Sequence, residues 1–527
     1  MQTLELKKKE IVNIFLKKGL LISNDILTCF EDEKKLEDFS ALIEKSPKNI
    51  TVINKKIQGV LASNQELDLN WAEIERIEAI SEKKGTFIEE LFNQIKQQQK
   101  PISSPDTNNN IKVIFSYNAA AKKREVTDFV QYFNSRYALV SKLLKQRPEL
   151  QNITSISRLA NKKEREQVSI IGMVVDKQYT KNGNCILAIE DPTAKINALI
   201  NKNKPELFKL TKDIVLDEVI GIVGVNGDNT IFSSNILFPD IPLDKEVKKT
   251  KDEVYAIFLS DLHVGSKKFL AEDFSKFLKW INCSLGNDSQ KDIASKVKYI
   301  FIIGDLVDGC GVYPGQEKEL EIKDIKEQYH LCAELLSKVP KHIPLVICPG
   351  NHDAMRLAEP QLPVYKDFAE PLYALPNAVI VSNPSLVNMH SSENFSGFDV
   401  LLYHGYSFDF YVSEVESIRN KGGYDRADLI MKFLLQKRHL APSYTSTLYV
   451  PDTEVDNLVI SYVPDFFVSG HIHKAAAANY KNTTLISGSC WQSKTAFQEK
   501  VGHNPEPSRV PLVNLQTREI KMLKFGK

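Results

Sequence analysis

The second half of the chain alternates short apolar runs with polar, turn-rich segments. Runs at 254–259, 299–303, 345–348, 400–403 and 466–468 are rich in β-branched or aromatic residues, and each closes on a Gly, Asp or Asn turn signal. That pattern predicts five buried strands. A longer stretch, 317–338, has helical spacing and predicts a helix over a sheet face. Upstream, 165–242 predicts five further strands at 168–175, 185–190, 196–200, 219–225 and 230–237, parted by Asn-Gly turns at 181–184 and 226–229. Five strands so spaced suit an OB-fold barrel. Segment 111–164 predicts an α/β connecting region, with a strand at 112–117 and a helix over 126–144. The helix carries Phe129, Tyr132, Phe133 and Tyr137 on one face, read as core. Residues 94–110 (QIKQQQKPISSPDTNNN) are polar and low in complexity, which predicts a flexible linker. Residues 1–93 read as a small helical domain: apolar spacing runs over 6–18, Gly19 is a stop, and 23–25 would cap the next helix.

Polar chemistry follows each of the five later strands. The motifs are Asp261-Leu262-His263, Gly304-Asp305, Gly350-Asn351-His352-Asp353, His404-Gly405 and Gly470-His471-Ile472-His473. Taken singly, Gly304-Asp305 is a common turn and His404 suits a satisfied core histidine. Together they place half of the ten histidines just past strand ends, where layered α/β folds build sites. Asp261, His263, Asp305, Asn351, His404, His471 and His473 offer enough carboxylate, imidazole and amide ligands for two ions sharing a bridging carboxylate. Two ions about 3.5–4 Å apart can clamp a phosphoryl group and ionise a water. Imidazole and oxygen donors without thiolate suit manganese, zinc or iron better than calcium or copper(I), with manganese taken as the first candidate. The His-x-His spacing fits a strand-to-loop turn and argues against a helical zinc peptidase. His330, His342, His390, His439 and His503 are read as structural.

This ordered set resembles the calcineurin-like metallophosphoesterase superfamily, over 252–527. The resemblance implies a β-sandwich flanked by helices. It also implies Asp261 and His263 on one metal with His473, Asp305 as the bridge, and Asn351, His404 and His471 on the second. His352 would protonate or stabilise the leaving oxygen, a role suited to imidazole, and Asp353 would orient it. Three segments in and around the motifs narrow the family: 307–316 (VDGCGVYPGQ) with the acidic, helix-like stretch 317–328, 349–363 (PGNHDAMRLAEPQLP), and 488–493 (GSCWQS). They are similar to the small subunits of archaeal family-D DNA polymerases. That similarity implies a metal-dependent 3′→5′ exonuclease, acting on a frayed or single-stranded 3′ end of DNA and bound to a large catalytic polymerase subunit. A sliding clamp is a further candidate partner, although no glutamine-led clamp motif is evident. A catalytically inert structural subunit and a stand-alone phosphatase or phosphodiesterase are the alternatives; all seven ligands oppose the first, and the upstream regions the second. Arg356 and Tyr406 are candidates for steering the strand.

Composition agrees. The chain has 527 residues, 43% hydrophobic and 26% charged, enough for several domains. No apolar run reaches the roughly 18 residues of a membrane span, and the charged N-terminus does not suit a signal peptide. Seven cysteines without a Cys-x-x-Cys pair predict reduced thiols in a cytoplasmic protein, and the resemblance implies the replication fork of an archaeal cell as its place. A net charge of +1 requires any nucleic-acid surface to be local. For the barrel, single-stranded DNA and protein are both open as ligands, with Phe232 and Phe238 the only stacking candidates.

Overall fold

The computed structural model describes residues 111–500 and 503–526, together with the short strands Leu21–Ile22 and Val52–Ile53. The chain divides into two compact units, 1–84 and 85–527. In the first, the two short strands pair in parallel; the helical domain expected over 1–93 and the linker at 94–110 otherwise lie outside the described residues.

The second unit is built on two six-stranded sheets and a barrel. The first sheet runs Ala378–Ile380, Leu345–Cys348, Val297–Ile303, Tyr255–Leu259, Arg509–Asn514, Ile520–Lys524, the first four strands parallel. The second runs Ala476–Tyr480, Thr483–Ser487, Phe466–Ser469, Phe398–Leu402, Ser385–Met389, Ile111–Ser116. All five motif strands are present, three adjacent and parallel in the first sheet and two in the second. Period-2 alternation sends Ala256 and Phe258 into the core between the sheets, with Phe301, Val400, Phe466 and Val468. Tyr255, Ile257 and Leu259 face the other way, onto the helices Ala271–Ile281 and Ile325–Leu336. The second sheet is covered on its outer face by the helices Phe408–Glu414 and Ala427–Lys437. Both faces of each sheet are therefore buried, which explains the nearly continuous apolar runs in the sequence.

Two expectations change. The helix predicted over 317–338 begins only at Ile325, because Asp324 caps it by accepting the N–H groups of Lys326 and Glu327. The acidic residues before it instead bond to the loop after the first motif, with Glu321 and Ile322 donating to Gly265. The strand Ile111–Ser116 is not part of a separate connecting region; it pairs with Ser385–Met389 as the edge of the second sheet.

The five strands predicted upstream close into a barrel in the order Gln167–Tyr179, Cys185–Asp191, Ala194–Ile200, Thr230–Leu237, Val219–Gly227, as an OB-fold requires. Helix Val126–Leu144 joins it to the sandwich. Val140 and Leu144 pack on the barrel residues Ile171 and Val219, while Tyr132 packs with the helices of the second sheet. Its buried Arg136 pairs with buried Asp456 at 2.7 Å and donates to Pro442 O. Removing one partner of such a pair costs about 3–5 kcal/mol.

The same network defines His439, whose Nδ1 accepts the Ala441 N–H at 2.9 Å while Nε2–H donates to Asp456 at 2.8 Å. Burial, and after it the charge of Arg136, push its pKa down to about 4. An unfolded histidine protonates near pH 6.5, so between that pH and 4 the unfolded state binds the extra proton. This residue should therefore cost about 3 kcal/mol of stability on acidification across that window, and nothing above it. Denaturation midpoints measured from pH 7.5 to 4 should show the loss, and His439→Gln should flatten it. An equally steep profile in the variant would contradict this assignment.

Candidate metal centre

Each motif sits where a strand ends and the backbone turns sharply. Asp261, His263, Asp305, His471 and His473 all adopt left-handed φ, between 51° and 73°. Few non-glycine residues do so, and here the strain is concentrated on five of the predicted ligands. Backbone bonds hold these turns: Asp261 N donates to Gly304 O, Gly304 N to Cys348 O, His263 N to Asp305 O and Gly470 N to His404 O. Two glycines allow the loops to close. A Cβ on Gly350 would lie 2.2 Å from Asp305 Oδ1, and one on Gly304 would lie 2.3 Å from His404 Nδ1.

All seven predicted ligands meet at the joined ends of the two sheets. Asp261, His263 and His473 form one group, and Asp305, His404 and His471 another. In the first, His263 Nε2 is 3.1 Å from His473 Nε2, which is 3.4 Å from Asp261 Oδ1. In the second, Asn351 Oδ1 lies 3.1 Å from His404 Nε2 and 3.0 Å from His471 Nδ1. Asp305 stands between the groups, its Oδ2 3.3 Å from His404 Nε2 and 3.8 Å from His263 Nε2.

These separations suit cations. Nitrogen and oxygen ligands about 2.0–2.2 Å from an ion lie roughly 3–3.5 Å from one another. The electrostatics point the same way. Burial alone would raise the pKa of Asp305, but His404, His352 and His263 outweigh it and hold the carboxyl well below its ordinary value. Burial would lower His404, yet Asp305 pulls it up to about 10. The carboxylates thus draw positive charge onto the imidazoles, and a divalent cation would supply that charge instead.

An outer layer fixes each imidazole. His263 Nδ1–H donates to Asp308 Oδ1 at 3.1 Å, His404 Nδ1–H to Ile303 O at 2.9 Å and His471 Nε2–H to Asp409 Oδ2 at 3.0 Å. His473 Nδ1 is 2.8 Å from Gln498 Nε2. Asp308 is itself gripped by Gln492 Nε2 at 2.8 Å. Sequence reasoning missed Asp308, Asp409, Gln492 and Gln498 as supports. Asp308 and Gln492 lie in the family-like segments 307–316 and 488–493, whereas nothing in the sequence marks Asp409 or Gln498.

His352 lies beside the first group, its ring 4.7 Å from that of His263. Its backbone N–H donates to Asp305 Oδ1 at 2.8 Å and its Nδ1–H to Asp308 O at 2.8 Å. The expectation that Asp353 orients this ring is not met. Asp353 turns inward, accepting the N–H of Gly350 and Leu306 and the hydroxyl of Tyr329. Burial and then the charge of Asp305 raise its pKa to about 7, and its bonds make it a brace for the loop. Arg356 donates to Pro360 O and lies over the Tyr117 ring, while Tyr406 sits 5.9 Å from His471.

Residues 256–475, a span that holds all seven candidate ligands, match the calcineurin-like phosphoesterase family. The chain is 40% identical over 402 residues to the DNA polymerase II small subunit of Methanothermobacter thermautotrophicus, covering 76% of this chain and 80% of that one. It is 37% identical over 401 residues to the same-named protein of Archaeoglobus fulgidus, covering 76% and 78%. This chain belongs to the archaeal DNA polymerase II small-subunit family. Against the Pyrococcus furiosus family member it is 40% identical over 404 residues, which span 76% of this chain and 64% of that one. Across the described residues of this family member, no helix is long and apolar enough to cross a membrane.

The outer layer gives a site-selective prediction. Asp308→Ala should weaken manganese binding at the His263 group about 10–100-fold, and Asp409→Ala should do so at the His471 group. Titration calorimetry should resolve one weakened site of two in each variant. Equal weakening of both sites by either variant would contradict the division into two groups.

Proposed function

We propose that this chain is the metal-dependent 3′→5′ exonuclease subunit of a two-subunit DNA polymerase, removing nucleotides from a frayed or mismatched 3′ end. Its partners would be a large catalytic polymerase subunit and DNA, in the cytoplasm. The observation that carries this reading is the convergence of seven oxygen and imidazole donors, Asp305 at their centre, with His352 just outside them. The family membership supports the polymerase assignment, since its members are named as small subunits.

In this reading Asp261, His263 and His473 would hold one cation and Asn351, His404 and His471 the other, with Asp305 between the two groups serving both. Two bound divalent cations, manganese, zinc or iron by the donor chemistry, would supply charge for the phosphoryl oxygens and an activated water. The chain's own residues do the rest. Asp308 O fixes His352 through Nδ1–H, so a proton for the leaving oxygen would sit on Nε2; burial pushes the ring's pKa down, and the charge of a bound phosphate would favour uptake of that second proton. As a water oxygen bonds to phosphorus and the P–O3′ bond breaks, the electron pair goes to O3′ and that proton neutralises it. The phosphate stays on the 5′ side of the released nucleotide. A mismatched terminus unpairs at lower cost and so reaches the site more often.

The test is manganese-dependent degradation of a 3′-labelled, mismatched primer–template. The unaltered chain should release terminal nucleotides, and Asp305→Ala and His352→Ala should lose about 100-fold or more. Inactivity of the unaltered chain, even with the large subunit added, would favour a structural role. Equal activity in all three proteins would place the chemistry elsewhere.

A further inference from the structure

We propose that Asn383, held by Glu359 and Gln361, is a positioning residue that sets where His404 stands for the cation of the second group. The inference rests on the two-cation reading above and names the support of one of its halves.

The segment 349–363 brings Asn351, His352 and Asp353 to the centre. Its later residues, Glu359-Pro360-Gln361, reach the second group through Asn383. Glu359, Gln361 and Asn383 are all buried. Asn383 Oδ1 accepts the backbone N–H of His404 at 2.8 Å. Its Nδ2 donates to Gln361 Oε1 at 2.7 Å and to Glu359 Oε1 at 3.3 Å. The backbones also exchange bonds, Gln361 N–H donating to Asn383 O at 2.6 Å and Asn383 N–H to Gln361 O at 3.1 Å. The other carboxylate oxygen of Glu359 accepts the hydroxyl of Tyr403, the residue before His404, at 3.0 Å.

That pattern gives the amide one orientation. Both hydrogens of its Nδ2 have acceptors, and its oxygen has a donor. Turned over, it would set Nδ2 against the His404 N–H and Oδ1 against two oxygens, leaving buried polar groups unpaired. The His404 peptide is gripped on both sides. Asn383 takes its N–H, while its C=O accepts the N–H of Gly470, the residue before His471, at 2.9 Å. With the main chain fixed and Nδ1–H on Ile303 O, the ring presents Nε2 to Asn351 Oδ1 at 3.1 Å.

A chain of bonds therefore runs from Glu359 through Asn383 and the His404 peptide to the turn that carries His471. Asp261 and His263 take their backbone support elsewhere, from Gly304 O and Asp305 O. Asp308 and Asp409 hold ring nitrogens, whereas Asn383 holds the main chain from which a ligand projects. Its influence should fall on the second group alone. In Glu359→Gln the new amide can keep both bonds, its oxygen accepting from Asn383 and its nitrogen donating to the Tyr403 hydroxyl. The tyrosine's own hydrogen then turns to Ser407 Oγ, 2.9 Å away. Glu359→Ala keeps neither bond.

The test is manganese titration of the full chain by calorimetry, on variants whose circular dichroism shows them folded. Asn383→Ala and Glu359→Ala should each weaken one of the two manganese ions about 10–100-fold and leave the other within about threefold. Combined with Asp409→Ala, the loss should stay on that one ion; combined with Asp308→Ala, both ions should weaken. Glu359→Gln should bind both ions within about threefold of the unaltered chain. Should Asn383→Ala fail to fold, the two Glu359 variants carry the comparison. Unchanged affinities in the alanine variants, or equal weakening of both ions, would overturn the positioning role while leaving the two-cation reading intact. So would a Glu359→Gln chain as weak as Glu359→Ala, since charge and not position would then be at work. An unaltered chain that binds fewer than two manganese ions would instead remove the two-cation reading, and this role with it.

Discussion

The seven candidate ligands can converge only if two sheet edges come closer than side chains normally allow, and the contact at Gly304 and Gly350 permits it. A methyl group at either would strike the His404 or Asp305 side chain. From that approach follows the left-handed backbone at five ligands, each of which turns a side chain from the end of a strand toward the seam. Local strain of about 1–3 kcal/mol per residue is tolerable only where surrounding structure overdetermines it. Here neighbouring strand ends and the buried core between the sheets do so.

Charge makes the second demand. Asp261 and Asp305 are almost fully buried, with imidazoles as their nearest charge partners. Carboxylates in such a place stay ionised only with positive charge beside them. The outer layer assigns each imidazole a direction, and Asp308 serves three ends at once: it holds His263, fixes His352 through its carbonyl, and anchors the loop carrying Tyr313. The His263 and His352 rings and the loop at 309–316 thus share one support.

Much of this was legible in the sequence because the strands are buried on both faces and end in polar motifs. The five runs became five strands within two or three residues of their expected ends, and the helix Val126–Leu144 lies where its apolar spacing put it. The barrel strands were readable from alternation and Asn-Gly turns. What escaped depends on contacts distant in sequence. Nothing local says that Asp409 will meet His471, sixty-two residues later, or that Arg136 will find Asp456. Asp353 misled because a carboxylate beside a histidine in sequence suggests a pair, whereas the turn at 350–353 points it at the Gly350 and Leu306 N–H groups. The acidic stretch before Ile325 has helical composition but bonds to the loop at Gly265.

The most direct test of the metal centre is anomalous diffraction at the manganese edge from crystals of the full chain grown with manganese. Two peaks about 3.5–4 Å apart, with the Asp305 carboxylate between them and Asn351, His404 and His471 around one, are the expected result. A single peak, none, or a pair that Asp305 does not touch would contradict the two-cation account.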